Sequence, residues 1–184
     1  MRRVRTQRNA LFATAKEIAF IGLMTALLIA CQLALSGLQG IEVVTVLFLA
    51  FCYSFGVVRG VIVANCFSLL RCLIWGFFPT VVILYLVYYN LFAVVFGLIG
   101  GKLNNMKAVW RIVILAAAAA FMTVLFTLLD DVITPLFFGY SLRAAKVYFY
   151  NSLIVLAIQP ACVIVTIAVL FEPLRKAFAQ VRRI

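Results

Sequence analysis

Apolar positions in this chain come in long blocks, with short polar or basic breaks between them. An α-helix rises about 1.5 Å per residue, so about 20 apolar residues, within a range of roughly 17–25, cross a bilayer. Six runs approach that length, at about 17–36, 42–57, 60–76, 80–101, 109–129 and 150–171. They predict an all-α fold, a polytopic bundle of six transmembrane helices forming a single domain over residues 1–184. The second and third runs are short, with only the Val58–Arg59–Gly60 region between them. The longest gap runs from Asp130 to Phe149 and is expected to be a loop with a break at Pro135.

Composition supports the membrane reading. Hydrophobic residues make up 67% of the 184 residues and charged residues 11%, against roughly 45–50% and about 25% in soluble domains. One small globule cannot enclose so much apolar surface. The basic N-terminal stretch MRRVRTQRNALFATAK precedes an apolar run longer than a signal core, with no clean small-residue cleavage site after it. It predicts a retained first helix.

The formal net charge of +11 does not indicate nucleic acid, because the basic residues lie between apolar runs and form no stripe on a folded face. They report topology instead. With a cytoplasmic N-terminus and six crossings, the inner segments carry Arg2, Arg3, Arg5, Arg8, Lys16, Arg59, Lys102, Lys107, Arg111, Arg175, Lys176, Arg182 and Arg183, 13 of the 16 basic residues. The positive-inside rule therefore predicts both termini in the cytoplasm. The absence of histidine removes imidazole catalysis and most zinc sites. The five cysteines lie in apolar runs with no CxxC pair and read as small buried hydrophobes. No Walker motif is present, so any ATP-driven step needs a partner. No metal or cofactor is expected.

Few polar residues remain. Glu17 and Glu172 lie at inner helix ends beside Lys16 and Arg175, while Glu42, Asp130, Asp131, Arg71, Arg143 and Lys146 collect at the predicted outer mouth. A charge in lipid costs roughly 2.5–3.5 kcal/mol on insertion scales, so such residues face protein or water. Arg71 either snorkels to the headgroups or meets a ligand or a carboxylate, with Glu42, Asp130 and Asp131 as candidate partners. Ser68 and Trp75 share its helix face. Tyr85, Tyr88 and Tyr89 occupy the outer half of the fourth run, and Asn90 lies near its middle as interhelical glue or a ligand contact. Tyr148, Tyr150 and Asn151 mark the outer end of the sixth run. Deeper in it, Gln159 precedes Pro160, as part of a kinked packing helix or of a polar floor. The inner half is plainer. This asymmetry predicts a pocket open to the outside for a small polar, partly aromatic or apolar molecule, with Glu42, Arg71, Trp75, Tyr85, Tyr89, Asn90, Asp130, Asp131, Arg143, Asn151 and Gln159 as candidate contacts.

In the first run, GLMTALLIACQLA places Gly22, Ala26, Ala30 and Ala34 four residues apart. Small residues at that spacing admit a closely packed helix, from this chain or from a partner.

Six helices, inside termini and this small-residue spacing resemble the substrate-binding S component of energy-coupling factor (ECF) vitamin transporters. The segments QLALSGLQGIEVVTVLFLAF, LDDVITPLFFGYS and IQPACVIVTIAVLFEPLRKAF are similar in wording to bacterial members of that family. The resemblance implies capture of a vitamin or related micronutrient at the outer face of a bacterial plasma membrane. It implies loops one, three and five over the pocket, and a first helix packed on a transmembrane coupling subunit that works with two ATPases. Ala26 and Ala30 would then be coupling contacts. Glu42, Arg71, Tyr89, Asp130 and Asn151 would be pocket residues.

Two other functions compete. An intramembrane hydrolase could use two carboxylates, but adjacent residues on a helix diverge by about 100°, so Asp130 and Asp131 do not converge on one bond. A non-catalytic membrane scaffold suits the small-residue stripe and leaves the outer polar cluster without a role.

Overall fold

The computed structural model describes residues 15–37 and 43–181, apart from the Lys16 side chain. Glu42 and the basic residues at both chain ends lie outside the described residues. The described chain forms six helices: α1 (Ala15–Leu35), α2 (Val44–Phe55), α3 (Val57–Trp75), α4 (Pro79–Leu103), α5 (Ala108–Phe137) and α6 (Leu142–Val181).

Neighbour pairs along the helices fix their directions. Glu17 of α1 meets Arg59 of α3, and Gln32 of α1 meets Tyr85 of α4. Phe67 of α3 packs on Tyr89 and Tyr85, and Phe48 of α2 on Tyr89 and Phe92. At the other level, Gly97 and Gly100 of α4 abut Val57 and Tyr53. Asp130 meets Tyr148, and Arg111 meets Glu172. The helices therefore alternate in direction around the bundle. The start of α1 and the end of α6 share one end, where the Phe20 and Phe178 rings lie 6.4 Å apart. We call this the terminal end, and its opposite the far end.

Five helices are long and apolar enough to cross a membrane. The predicted second crossing differs. Helix α2 has 12 residues, about 18 Å, against a hydrocarbon core of about 30 Å. All ten residues from Val44 to Tyr53 are buried, so α2 is the central pillar of the bundle, enclosed by the longer helices. A helix apolar on every side is what such a site requires.

The turn after α2 is tighter than the expected break at residues 58–60. Gly56 alone joins α2 to α3, at φ 83°, a left-handed value that disfavours side chains. Close approach of α4 follows, because Gly97 and Gly100 present bare backbone to this hairpin. At the terminal end, Phe20, Phe51, Phe55 and Phe178 form an aromatic cluster with ring separations of 4.8–6.4 Å.

The expected loop from Asp130 to Phe149 is a correction. Helix α5 continues to Phe137 with Pro135 inside its last turn, and α6 begins at Leu142. Proline lacks an N–H for the carbonyl four residues earlier, a loss confined here to one turn. Gly139, at φ 63°, closes the hairpin. Phe137, Phe138, Tyr140, Phe149 and Tyr150 are exposed around it, as suits aromatic side chains at a membrane–water interface.

Candidate ligand site at the far end of the bundle

The sequence placed all outer polar residues in one mouth. The structure divides them into two groups, one on α1, α3 and α4 and the other between α5 and α6.

The first group centres on Tyr85. The Arg71 guanidinium carbon stands 3.9 Å from the Tyr85 ring centroid and 5.5 Å from that of Trp75. Two aromatic faces thus orient one cation. From α1, the Gln32 amide nitrogen donates to the Tyr85 hydroxyl at 3.4 Å. Tyr85 is held from behind by Tyr89, Phe126 and Phe67, at ring separations of 5.3, 5.4 and 6.5 Å. Three buried polar atoms in this group lack a hydrogen-bond partner among the described residues: Arg71 Nε, Gln32 Oε1 and Ser68 Oγ. Ser68 is 1% exposed. Such atoms carry a desolvation penalty of about 1–3 kcal/mol each unless something satisfies them.

The second group holds both aspartates inside the α5–α6 hairpin. Asp130 accepts from the Thr134 hydroxyl at 2.7 Å and from Tyr148 at 2.8 Å. Asp131 is 9% exposed and accepts from Ser152 at 2.6 Å, while its Oδ1 has no partner among the described residues. One turn below, the Thr127 hydroxyl donates to Gln159 Oε1 at 3.3 Å. Neither aspartate pairs with Arg71, because both carboxylates are turned to α6. This corrects two expectations: the aspartates do not end α5, and they are not the counter-ions of Arg71.

Other candidates separate as well. Asn90 is glue, donating to Asn65 Oδ1 at 2.9 Å while Asn65 donates back at 3.3 Å. That pair stitches α3 to α4. Gln159 joins α5 to α6. Arg143 and Asn151 are exposed and belong to neither group. Glu42 lies outside the described residues. Of the expected contacts, Arg71, Trp75, Tyr85 and Tyr89 come together. Gln32 joins them and was missed. Its one signal was an amide near the outer end of an otherwise apolar first run.

Charge at the terminal end is used internally. Arg59 pairs with Glu17, where the sequence suggested Lys16. Arg111, 5% exposed, pairs with Glu172 through Nη2 and through Nε at 3.2 Å, and Arg175 donates to the same carboxylate at 3.0 Å. None of the five cysteines forms a disulfide, and no group of three metal-ligating side chains occurs among the described residues.

The small-residue stripe faces outward. Gly22, Ala26, Ala30 and Ala34 are exposed, whereas Ile21, Met24, Thr25, Leu28 and Ile29 face the bundle. A Cβ on Gly22 would meet nothing within 4 Å. Packing within the chain, one of the two explanations of the spacing, is therefore not its role.

The chain matches no family model, no curated protein and no solved structure.

Proposed function

We propose that this protein captures a small molecule at the outer surface of a membrane and hands it to a partner complex, in the manner of an ECF S component. The observation that carries this reading is the set of unpaired polar atoms around Tyr85. Arg71, Gln32 and Ser68 present buried hydrogen-bonding capacity that no neighbour among the described residues uses, at the far end. A scaffold needs no such group. In a packed bundle most buried polar atoms find partners, as Asn65 with Asn90 and Thr127 with Gln159 do here. Outside the Tyr85 group, Tyr53 Oη, Ser54 Oγ and Asp131 Oδ1 also lack one among the described residues.

In this reading the far end faces outside and both termini are cytoplasmic. The six helices lie in a bacterial plasma membrane, with α2 packed against α1, α3, α4 and α6. The exposed face of α1 supports a partner contact, because a shallow stripe of glycine and alanine suits close helix approach in lipid. The partner would be a membrane coupling subunit bound to two ATPases, with ATP hydrolysed there and not in this chain. A catalytic use of the aspartates is disfavoured by their geometry. Adjacent on α5, they engage different residues of α6.

Affinity purification from the native membrane tests this. A membrane subunit and a pair of ATPases should co-purify with the wild-type chain, and Ala26→Leu with Ala30→Leu should release them. Isolation with cell-wall assembly proteins, or with no ATPase, would favour the scaffold.

A further inference from the structure

Resting on the capture reading, we infer that the captured molecule carries an oxyanion, a carboxylate or phosphate, bound side-on by Arg71 and joined to a flat ring.

The Arg71 guanidinium places a positive charge in the far-end group. Among the described residues no carboxylate pairs with it. The two aspartates of α5 are taken by Thr134, Tyr148 and Ser152. What Arg71 does contact is aromatic, Tyr85 at 3.9 Å and Trp75 at 5.5 Å from the guanidinium carbon. These rings fix the plane of the guanidinium without using its donors, because cation–π contact is made through the ring faces. The Nε–H lies buried and has no partner among the described residues.

The edge formed by Nε and the adjacent Nη matches the two oxygens of a carboxylate or phosphate, giving two parallel charge-assisted bonds. Arginine that only snorkels to lipid headgroups extends its guanidinium toward the bilayer surface. Here the guanidinium lies over Tyr85, whose ring packs on Tyr89 and Phe126 inside the bundle. That inward seat favours a molecule taken from water over a lipid phosphate.

Beside the cation, Gln32 bonds the Tyr85 hydroxyl with one end of its amide and leaves the other end unpaired. Whichever way the amide is turned, one polar end remains for the ligand. Trp75, half-buried and 5.5 Å from the guanidinium carbon, supplies an aromatic surface beside the cation that suits a planar ring.

The test uses the full chain in maltoside micelles with Trp110→Phe, which leaves Trp75 as the one tryptophan. Trp110 is exposed on α5 near the terminal end. Benzoate, phenyl phosphate, neutral benzamide and dioleoyl phosphatidate are titrated against Trp75 fluorescence, up to about 1 mM, a range that includes weak binding. We expect a saturable change with benzoate or phenyl phosphate, at least tenfold weaker with benzamide. Arg71→Gln should abolish it. Arg71→Lys, which keeps the charge but loses the planar fork, should weaken it at least tenfold with an unchanged melting temperature. Benzamide binding as well as benzoate would overturn the oxyanion inference and leave capture standing. An Arg71-dependent response to phosphatidate alone would overturn it by making the site a lipid seat. No response to any of the four would overturn both the inference and the capture reading.

Discussion

Gly100 of α4 lies so close to Tyr53 of α2 that a Cβ there would stand 2.5 Å from the Tyr53 carbonyl oxygen. Gly97, one turn earlier, is as tightly held, with its virtual Cβ 2.7 Å from the Val57 nitrogen. In both cases the obstacle is backbone, which cannot swing aside as a side chain can. Overpacking a well-packed core costs typically about 1–3 kcal/mol. Gly100→Ala and Gly97→Ala should therefore lower the thermal unfolding temperature in detergent. Gly22→Ala and Gly101→Ala, where a Cβ meets nothing within 4 Å, should leave it unchanged. Equal effects at all four positions would contradict the close approach of α4 to the α2–α3 hairpin.

The Asn65–Asn90 pair predicts coupling between α3 and α4. Interhelical hydrogen bonds in membrane proteins average about 0.6 kcal/mol in double-mutant cycles, with a maximum of about 1.7. Asn65→Ala and Asn90→Ala should couple within that range. Binding of a small molecule at Tyr85 should survive both, since each amide is occupied by the other. Loss of binding with intact folding would return Asn90 to the ligand site.

Two ion pairs at the terminal end should differ in weight. Arg111 is 5% exposed and Glu172 compensates it, so Glu172→Gln leaves a buried cation and should cost about 3–5 kcal/mol. Replacing both, as Arg111→Met with Glu172→Leu, should recover most of that loss. Arg59 is largely open to solvent, and Glu17→Gln should cost no more than about 1 kcal/mol. Denaturation of the three variants in one detergent decides this. A similar loss for Glu17→Gln and Glu172→Gln would contradict it.

The exposed stripe of α1 predicts a separation of properties. Ala26→Leu with Ala30→Leu adds bulk on a face that is exposed among the described residues. Stability and small-molecule binding should hold, while partner association falls. Loss of binding with retained association would reverse these roles.

How far the sequence reached depends on the element. Helices α1, α3 and α4 lie within three residues of the runs at 17–36, 60–76 and 80–101, because each run ends at basic residues, glycine or proline. Helix α2 escaped a length-based reading. Its residues are apolar all round, but protein encloses it and it has no need of bilayer length. The α5–α6 hairpin also escaped. Charge at Asp130 and Asp131 looked like a helix end, yet hydroxyls on α6 donate to both carboxylates and the helix continues. Residue types showed which side chains were out of place in lipid. Their pairing did not follow, since it depends on helix rotation. Asn90 finds Asn65, and Arg71 finds Tyr85, only once ridges and grooves have set that rotation.

Native mass spectrometry of the protein released from its own membrane tests the capture claim most directly. The wild-type chain should carry one water-soluble small molecule per protein, absent from Arg71→Gln and from Tyr85→Ala, both still folded. A wild-type chain that carries none, while its partner complex actively imports, would contradict capture at the far end.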